Sequence, residues 1–237
     1  MKAVILAGGK GTRLAPYTTV FPKPLMPVDG IPILEVIVRQ LSHFRIKDLI
    51  FTVSHNSDPL ISAYFGDGKK YGVNISYSKE IHPLGTAGAL SLIPDLPDTF
   101  LVMNGDILTT LNYQKLLLYH HKQKGIVTIA TSQKKIKIEL GIVEFDTNNR
   151  LIHYIEKPAF SYSISMGVYV FNHRVLQYIP PQKYLDFPEL IQRLLKKNER
   201  IVCYPSKDFW LDIGRHEDYQ EAQKMFQTMR KKLLYEE

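Results

Sequence analysis

Three glycines, two cations and two carboxylates carry the chemistry that can be read from this chain. An apolar run, Ala3 to Ala7, ends at Gly8 and Gly9, and Gly11, Thr12 and Arg13 follow. Glycines let a backbone turn sharply and leave N–H groups uncovered, so a phosphate can approach closely. Arg13 and Lys23, the latter between Pro22 and Pro24, add fixed positive charge beside that cradle. Asp106 follows the apolar run Phe100-Leu101-Val102-Met103 and Asn104-Gly105, and Asp212 stands between Trp210-Leu211 and Ile213-Gly214. Mg²⁺ is usually held by one or two carboxylates plus substrate phosphates, and two aspartates at apolar strand ends suit it. A lone aspartate after a strand is more often a turn or loop cap. Taken together, the strand, the glycine loop and the cations point to a nucleoside triphosphate site.

The glycine loop is neither of the two commonest phosphate motifs. A P-loop needs G-x-x-x-x-G-K-[ST] leading into a helix. Here Lys10 lies between Gly9 and Gly11, and Pro16 interrupts any immediate long helix. The dinucleotide fingerprint needs G-x-G-x-x-G, and Leu14 stands where its third glycine should be. Gly-Gly alone is an ordinary turn signal, but it does not account for LAGGKGTRL followed by PKPLMPV at 22–28. That combination resembles the sugar-phosphate nucleotidylyltransferases, the nucleotide-sugar pyrophosphorylases. Further matches come in the family's order: PLGTAGAL at 83–90, NGD at 104–106, LGIVEF at 140–145, EKP at 156–158 and WLDIG at 210–214. The resemblance runs over residues 1–222, nearly the whole chain.

The resemblance implies a reaction and a set of roles. A nucleoside triphosphate and a sugar 1-phosphate would condense to a nucleotide-sugar and pyrophosphate, with Mg²⁺ on Asp106 and Asp212 and no organic cofactor. Arg13 would hold the departing pyrophosphate, and Lys23 would bridge the attacking and α-phosphates. Transfers of this kind need positioning and charge neutralisation more than acid–base chemistry, so the lack of a Ser–His or Cys–His constellation is expected. The nucleotide would meet Leu6, Ala7, Gly8, Gly9, Gly11, Thr12, Arg13 and Asp106, with Glu80, Gly85 and Thr86 receiving the base. PLGTAGAL also reads as a helix N-terminus capped by Thr86. The sugar phosphate would meet Lys23, Gly141, Glu156, Lys157, Gly167 and Asp212. A bare Glu-Lys pair such as Glu156-Lys157 is otherwise an ordinary solvated pair. Two departures from the family pattern affect the sugar: Ser165 precedes Met166-Gly167 where many relatives have asparagine, and Arg215 replaces a common threonine after Gly214. GTP ranks ahead of UTP, dTTP and CTP, because an ionised Glu80 could accept from guanine N1–H and N2–H₂ together. Within the fold, transfer to phosphocholine is the alternative, with Tyr162, Tyr169 and Trp210 as aromatic walls. A non-catalytic nucleotide-sugar sensor is disfavoured by the retained Arg13, Lys23, Asp106 and Asp212.

Composition agrees with a small anionic substrate. The 237 residues carry a formal charge of +7, and the pI is 9.3. The cations form only short clusters, Lys134–Lys137, Lys196–Arg200 and Arg230–Lys232, without interleaved aromatics. That argues for steering of phosphates and against nucleic acid as a partner. Cys203 is the single cysteine, so neither an internal disulfide nor a thiolate metal site can form. His120-His121 and the other histidines show no metal-ligand spacing. No apolar run approaches a membrane span and no signal-type segment opens the chain, so a cytoplasmic enzyme is expected. A homo-oligomer is compatible with the resemblance.

The elements that must position these residues alternate in type. Strands are expected at Lys2–Ala7, Asp48–Val53, Val73–Ser78, Phe100–Met103 and Ile126–Thr131, with helices at Ile33–Phe44, Leu60–Phe65, Ala87–Ile93 and Tyr113–Lys124. Alternation predicts an α/β, Rossmann-like three-layer fold around a mostly parallel sheet, with ligands beyond the strands' carboxyl ends. Gly8 and Asp106 should meet at that edge. After residue 133 short strands, Ile142–Phe145, Leu151–Ile155 and Met166–Phe171, suggest a smaller β-rich sugar-binding lobe, with a turn at Asn148-Asn149. Helices Glu189–Lys197 and Glu217–Lys231 close the pattern. No linker is visible, so residues 1–237 read as one domain, with a nucleotide lobe at 1–132 and a sugar-phosphate lobe at 133–237. No hexapeptide repeat of the kind that longer members append is present.

Overall fold

The structure is a computed structural model that describes residues 1–9 and 11–236. In chain order its elements are β1 (Lys2–Leu6), β2 (Pro27–Val28), β3 (Ile31–Pro32), α1 (Ile33–His43), β4 (Asp48–Ser54), α2 (Asp58–Phe65) and β5 (Asn74–Glu80). Then come α3 (Gly85–Gly88), β6 (Thr99–Asn104), β7 (Ile107–Thr109), α4 (Tyr113–Gln123), β8 (Val127–Lys137), β9 (Ile142–Phe145) and β10 (Leu151–Ile155). The last are β11 (Ala159–Asn172), α5 (Phe187–Lys196), β12 (Ile201–Pro205), β13 (Trp210–Asp212) and α6 (His216–Leu234).

Seven strands form one sheet in the order β12-β8-β11-β6-β1-β4-β5. Only β11 runs against its neighbours; the other pairings are parallel. The α/β fold with a mostly parallel sheet is therefore the one that the alternation of elements predicts. Central parallel strands are covered on both faces and read as continuous apolar runs. In β1, Ala3 and Ile5 share a core with Ile37 of α1 and Leu116 of α4, while Val4 faces the other way, towards Leu90 and Leu190. A third cluster seats α6 through Phe226 and Leu233 on Leu14, Val28, Ile33 and Ile213. The winding reverses at β1, which has β4 on one side and β6 on the other, so the loops after these strands open at a switch point where ligands bind.

Several boundaries differ from the sequence expectation. The segment Ala87–Ile93 is not one helix: α3 is a single turn and Ala89–Leu92 continue as 3₁₀. Glycines at 85 and 88 weaken a helix, and Pro94 prevents its extension. Strand β8 continues past Thr131 to Lys137, and β11 begins at Ala159 rather than Met166. Their outer halves pair with each other, from Ala159 opposite Lys137 to Ile164 opposite Ser132. Backbone pairing, with no core beneath it, sustains that ladder, so the apolar pattern could not announce it. Strands β9 and β10 form a separate antiparallel hairpin beyond it. The sheet does not stop at residue 132, since β11 and β12 belong to it. No helix is long and apolar enough to cross a membrane among the described residues.

Candidate active site

The cations sit on an irregular segment between β1 and β2. Arg13 is in a 3₁₀ turn, Thr12–Leu14, anchored by the fully buried Leu14. Gly11 enters that turn at φ +62°, a conformation natural to glycine, and its carbonyl accepts from Thr18 Oγ1 at 2.7 Å. Lys23 opens another 3₁₀ turn, Lys23–Leu25. Only 9% of Lys23 is exposed, and its Nζ forms an ion pair with Asp106 Oδ2.

The two aspartates are brought together by pairing across the chain. Gly105 N–H donates to Leu6 O at 3.0 Å, which places the turn after β6 beside the end of β1. Strand β7 then pairs with β13, Ile107 opposite Asp212, and Ile213 N–H donates to Asp106 O at 3.1 Å. Arg13 reaches the same place. A Cβ built on Gly214 would lie 3.2 Å from Asp212 Oδ2, 3.5 Å from Asp218 Oδ2 and 3.7 Å from Arg13 Nη1. Burial pushes the Asp212 carboxyl above its ordinary range, Asp106 adds to the rise, Lys23 and Arg13 oppose it, and Asp218 raises it further. Two carboxylates this near one another form a natural site for a cation. All the donors are hard oxygens, as Mg²⁺ prefers. Among the described residues no group of three or more His, Cys, Asp or Glu side chains could hold a metal, so Mg²⁺ here would rest on this pair and on substrate oxygens.

A cleft of about 530 Å³ opens next to these groups and is lined by Leu6, Gly8, Gly9, Glu80, Gly85 and Thr86, all expected nucleotide residues. Ala7 is buried below it, its N–H bonded to Thr52 O at 2.9 Å. Gly11, Thr12, Arg13, Lys23, Asp106 and Asp212 lie outside its lining. Glu80 Oε2 accepts from Leu84 N–H at 2.9 Å, and its Oε1 would stand 3.1 Å from a Cβ on Gly8. Glu80 thus braces the loop around Pro83, and burial pushes its carboxyl above the ordinary value against the pull of the Leu84 bond.

Other lining residues were not read from the sequence: Ser54 at the end of β4, His55 and Asn56 after it, and Tyr184 and Asp186 before α5. The polar run after an apolar strand and the Asp before Phe187-Pro188-Glu189, a helix-start pattern, were the available signals. Asp186 Oδ1 takes Thr86 N–H at 2.9 Å and Thr86 Oγ1 at 3.2 Å, while Phe187 N–H donates to Thr86 Oγ1 at 2.8 Å. Thr86 therefore satisfies the start of α5 rather than capping its own turn. Tyr184 donates to Asp186 Oδ2 at 2.5 Å. Burial alone would raise the Asp186 carboxyl, but these bonds hold it below its ordinary range.

The expected sugar-phosphate residues divide into two groups. Gly167 lies in a bulge of β11 at φ +70°, where a Cβ would meet Asn104 Nδ2 at 2.6 Å. The preceding carbonyl, Met166 O, accepts from Trp210 Nε1 at 2.7 Å, which ties the bulge to β13. Gly141, Glu156 and Lys157 sit instead at the base of the β9–β10 hairpin. Gly141 packs on the Tyr154 phenol. Glu156 accepts from Tyr154 OH at 2.7 Å and pairs with Lys157 at 3.9 Å, and both side chains are exposed. No described hydrogen bond or ion pair joins these three to the carboxylates or to Lys23.

Comparisons with known proteins converge on one family. A family model described as nucleotidyl transferase matches residues 2–228. A UTP–glucose-1-phosphate uridylyltransferase of Synechocystis sp. is 34% identical over 242 residues, covering 94% of this chain and 62% of that protein. A mannose-1-phosphate guanylyltransferase of Mycobacterium tuberculosis is 33% identical over 223 residues, covering 92% and 62%. The chain thus spans about three-fifths of the length of these relatives. HddC from Yersinia pseudotuberculosis, solved in complex with GMP-PN, matches with a TM-score of 0.72 at 25% identity, covering 95% of this chain and 99% of that one.

Proposed function

Because the chain belongs to the nucleotidyl transferase family, we propose that it is a sugar-1-phosphate nucleotidylyltransferase. The observation that carries the reading is the convergence of Lys23, Asp106, Asp212 and Arg13 beside a cleft at the carboxyl edge of the sheet. An oxygen of the sugar 1-phosphate attacks the α-phosphorus of the triphosphate in line; the bond to the β-phosphate oxygen breaks, and pyrophosphate leaves with its electron pair. Arg13 holds the leaving pyrophosphate. Lys23, presented by Asp106, lies along the attacking and α-phosphates and neutralises charge that grows in the transition state. Asp106 and Asp212 would hold Mg²⁺, which when bound neutralises phosphate charge. Residues 1–132 serve chiefly the nucleotide, joined along the cleft by Tyr184 and Asp186, and Gly141, Glu156, Lys157 and Gly167 of the later part stand on the sugar side. The lone Cys203 suits a reducing cytoplasm.

GTP is the preferred triphosphate in this reading. The guanylyltransferase relative and the neighbour complexed with GMP-PN support guanine, while the uridylyltransferase relative supports uracil. Glu80 contributes chiefly through Oε1, since Oε2 is already engaged by Leu84 N–H. The test is pyrophosphate release from GTP, UTP, dTTP and CTP crossed with a panel of sugar 1-phosphates and phosphocholine. GTP with a sugar phosphate should give the highest kcat/KM, and Glu80→Gln should narrow its lead. A pyrimidine triphosphate in first place would reject guanine; no release with any pair would reject the enzyme.

The reading extends to a homodimer built on the β9–β10 hairpin. Val143, Phe145, Leu151 and Tyr154 share one face of it through the pairs Leu151–Phe145 and Tyr154–Val143. They are 50%, 62%, 63% and 56% exposed. An exposed apolar face of this kind suits the same face of a second copy across a two-fold axis.

A further inference from the structure

The segment that carries both cations has little regular structure of its own. Between β1 and β2 it makes three 3₁₀ turns, Thr12–Leu14, Tyr17–Thr19 and Lys23–Leu25, and Pro16, Pro22 and Pro24 donate no backbone hydrogen bonds. It is held from outside by one face of α6. His216, Tyr219 and Gln223 are spaced i, i+3 and i+7, so they line up along the helix. His216 Nε2 lies 2.7 Å from Ala15 O, two residues after Arg13. A carbonyl only accepts, so Nε2 carries the hydrogen. Tyr219 OH donates to Pro27 O at 2.6 Å, and Gln223 Nε2 donates to the same carbonyl at 2.9 Å. Gln223 Oε1 takes Asp29 N–H at 3.2 Å. The Tyr17 ring, midway along the segment, packs on His216 and Tyr219 with centroids 5.6 and 6.1 Å away.

The same helix follows directly on Asp212-Ile213-Gly214. Its first residue lies four positions after the carboxylate, so one rigid element is joined to Asp212 and grips the carbonyls flanking Arg13 and Lys23. We infer that His216 and Tyr219 are positioning residues: α6 sets where Arg13 and Lys23 stand relative to Asp212. This rests on the proposed transfer reaction, in which those groups must meet the two ends of the phosphate chain. His216 acts on Arg13 through Ala15, and Tyr219 acts on Lys23 through Pro27.

The experiment compares His216→Ala, His216→Gln and Tyr219→Phe in the full chain. His216→Ala should lower kcat on the order of tenfold or more, since small misplacements of charged groups are costly, with KM for the triphosphate changed less than kcat. His216→Gln, whose amide N–H can donate to Ala15 O, should recover most of that loss. Tyr219→Phe should lower kcat in the same sense. Hydrogen exchange read by mass spectrometry gives an arm independent of turnover. Peptides covering residues 11–28 should exchange faster in His216→Ala and Tyr219→Phe, while β1, β4 and β6 stay as protected as in the wild type. Unchanged exchange in that segment overturns the inference, as does faster exchange with kcat intact, an effect confined to KM, or failure of glutamine to rescue. If the wild type transfers no nucleotide, the functional reading falls, while the exchange arm still decides whether α6 holds the segment.

Discussion

At the scale of single residues, the informative group is Lys23, which is nearly buried and paired with Asp106. A buried ammonium needs a partner, and Asp106 supplies one while sharing a strand turn with the end of β1. Asp212 completes the arrangement, its carboxyl pushed up by burial and by Asp106 against the pull of Lys23 and Arg13. Asp106→Asn and Asp212→Asn should each abolish Mg²⁺-dependent turnover while the circular dichroism spectrum stays that of the wild type, a loss of several kcal/mol, on the order of 3–4, in transition-state stabilisation. Near-normal rates in either variant would remove the pair from the mechanism. Arg13→Ala and Lys23→Ala should lower kcat more than they raise KM for the triphosphate, because only interactions that strengthen in the transition state raise kcat. Steady-state kinetics with saturating sugar phosphate makes the comparison, and a change in KM alone would mean that the two cations only dock substrate.

At the scale of elements, helix α1 shows how the frame of the site is braced. Its buried Glu35 accepts from Tyr64 OH of α2 at 2.6 Å, from Tyr71 OH at 3.0 Å, and from Arg39 Nε at 2.8 Å. Burial raises the Glu35 carboxyl, but the bonds from Tyr64, Arg39 and Tyr71 outweigh it, and the net is a value below the ordinary 4.5. Burial and the Glu35 charge push Tyr64 up to about 12, so the phenol keeps its proton and donates. A carboxyl lowered by folding adds stability above its unfolded pKa and loses it as the pH falls through its folded value. Glu35→Gln should therefore cost about 2 kcal/mol at neutral pH, the range for hydrogen bonds to a charged group. Urea unfolding from pH 7 down to pH 3 should show the gap between wild type and variant shrinking below about pH 4.5. A gap that is constant with pH would mean that Glu35 contributes shape and not charge.

At the scale of the whole molecule, the well-packed sheet contrasts with the hairpin that projects from it. A hairpin with neither face covered is marginal by itself, and its base carries Gly141, Glu156 and Lys157. Association through Val143, Phe145, Leu151 and Tyr154 would steady those residues for the sugar phosphate. The wild type should elute in size-exclusion chromatography with light scattering at twice its 27.3 kDa. The double substitution Phe145→Glu with Leu151→Glu, on exposed positions, should give a folded monomer with a raised KM for the sugar phosphate. A monomeric wild type, or a dimer untouched by the two glutamates, would reject this surface.

Much of the candidate site's geometry was legible in the sequence because its signals are local. A parallel strand buried on both faces must be apolar throughout, so Ala3–Ala7 and Phe100–Met103 announced β1 and β6, and whatever follows such strands lies at the ligand edge. Gly8, Gly9 and Asp106 were placed by that logic alone. Chain-distant pairing was not legible from the residues themselves; the Asp106–Asp212 pair was expected only through the family resemblance. Asp212 stands beside Asp106 only because β13 pairs with β7, and Thr86 serves α5 only because Asp186 meets it from one hundred residues away. Glu80 turned to Leu84 rather than freely to the cleft, a choice made by a nearby N–H and by burial, not by residue type. Hydrogen-bond partners are selected by where the packed elements bring donors and acceptors, and a backbone ladder such as outer β8–β11 forms whatever its side chains are. Residue types and local periodicity settled which groups could do chemistry; tertiary packing decided which of them meet.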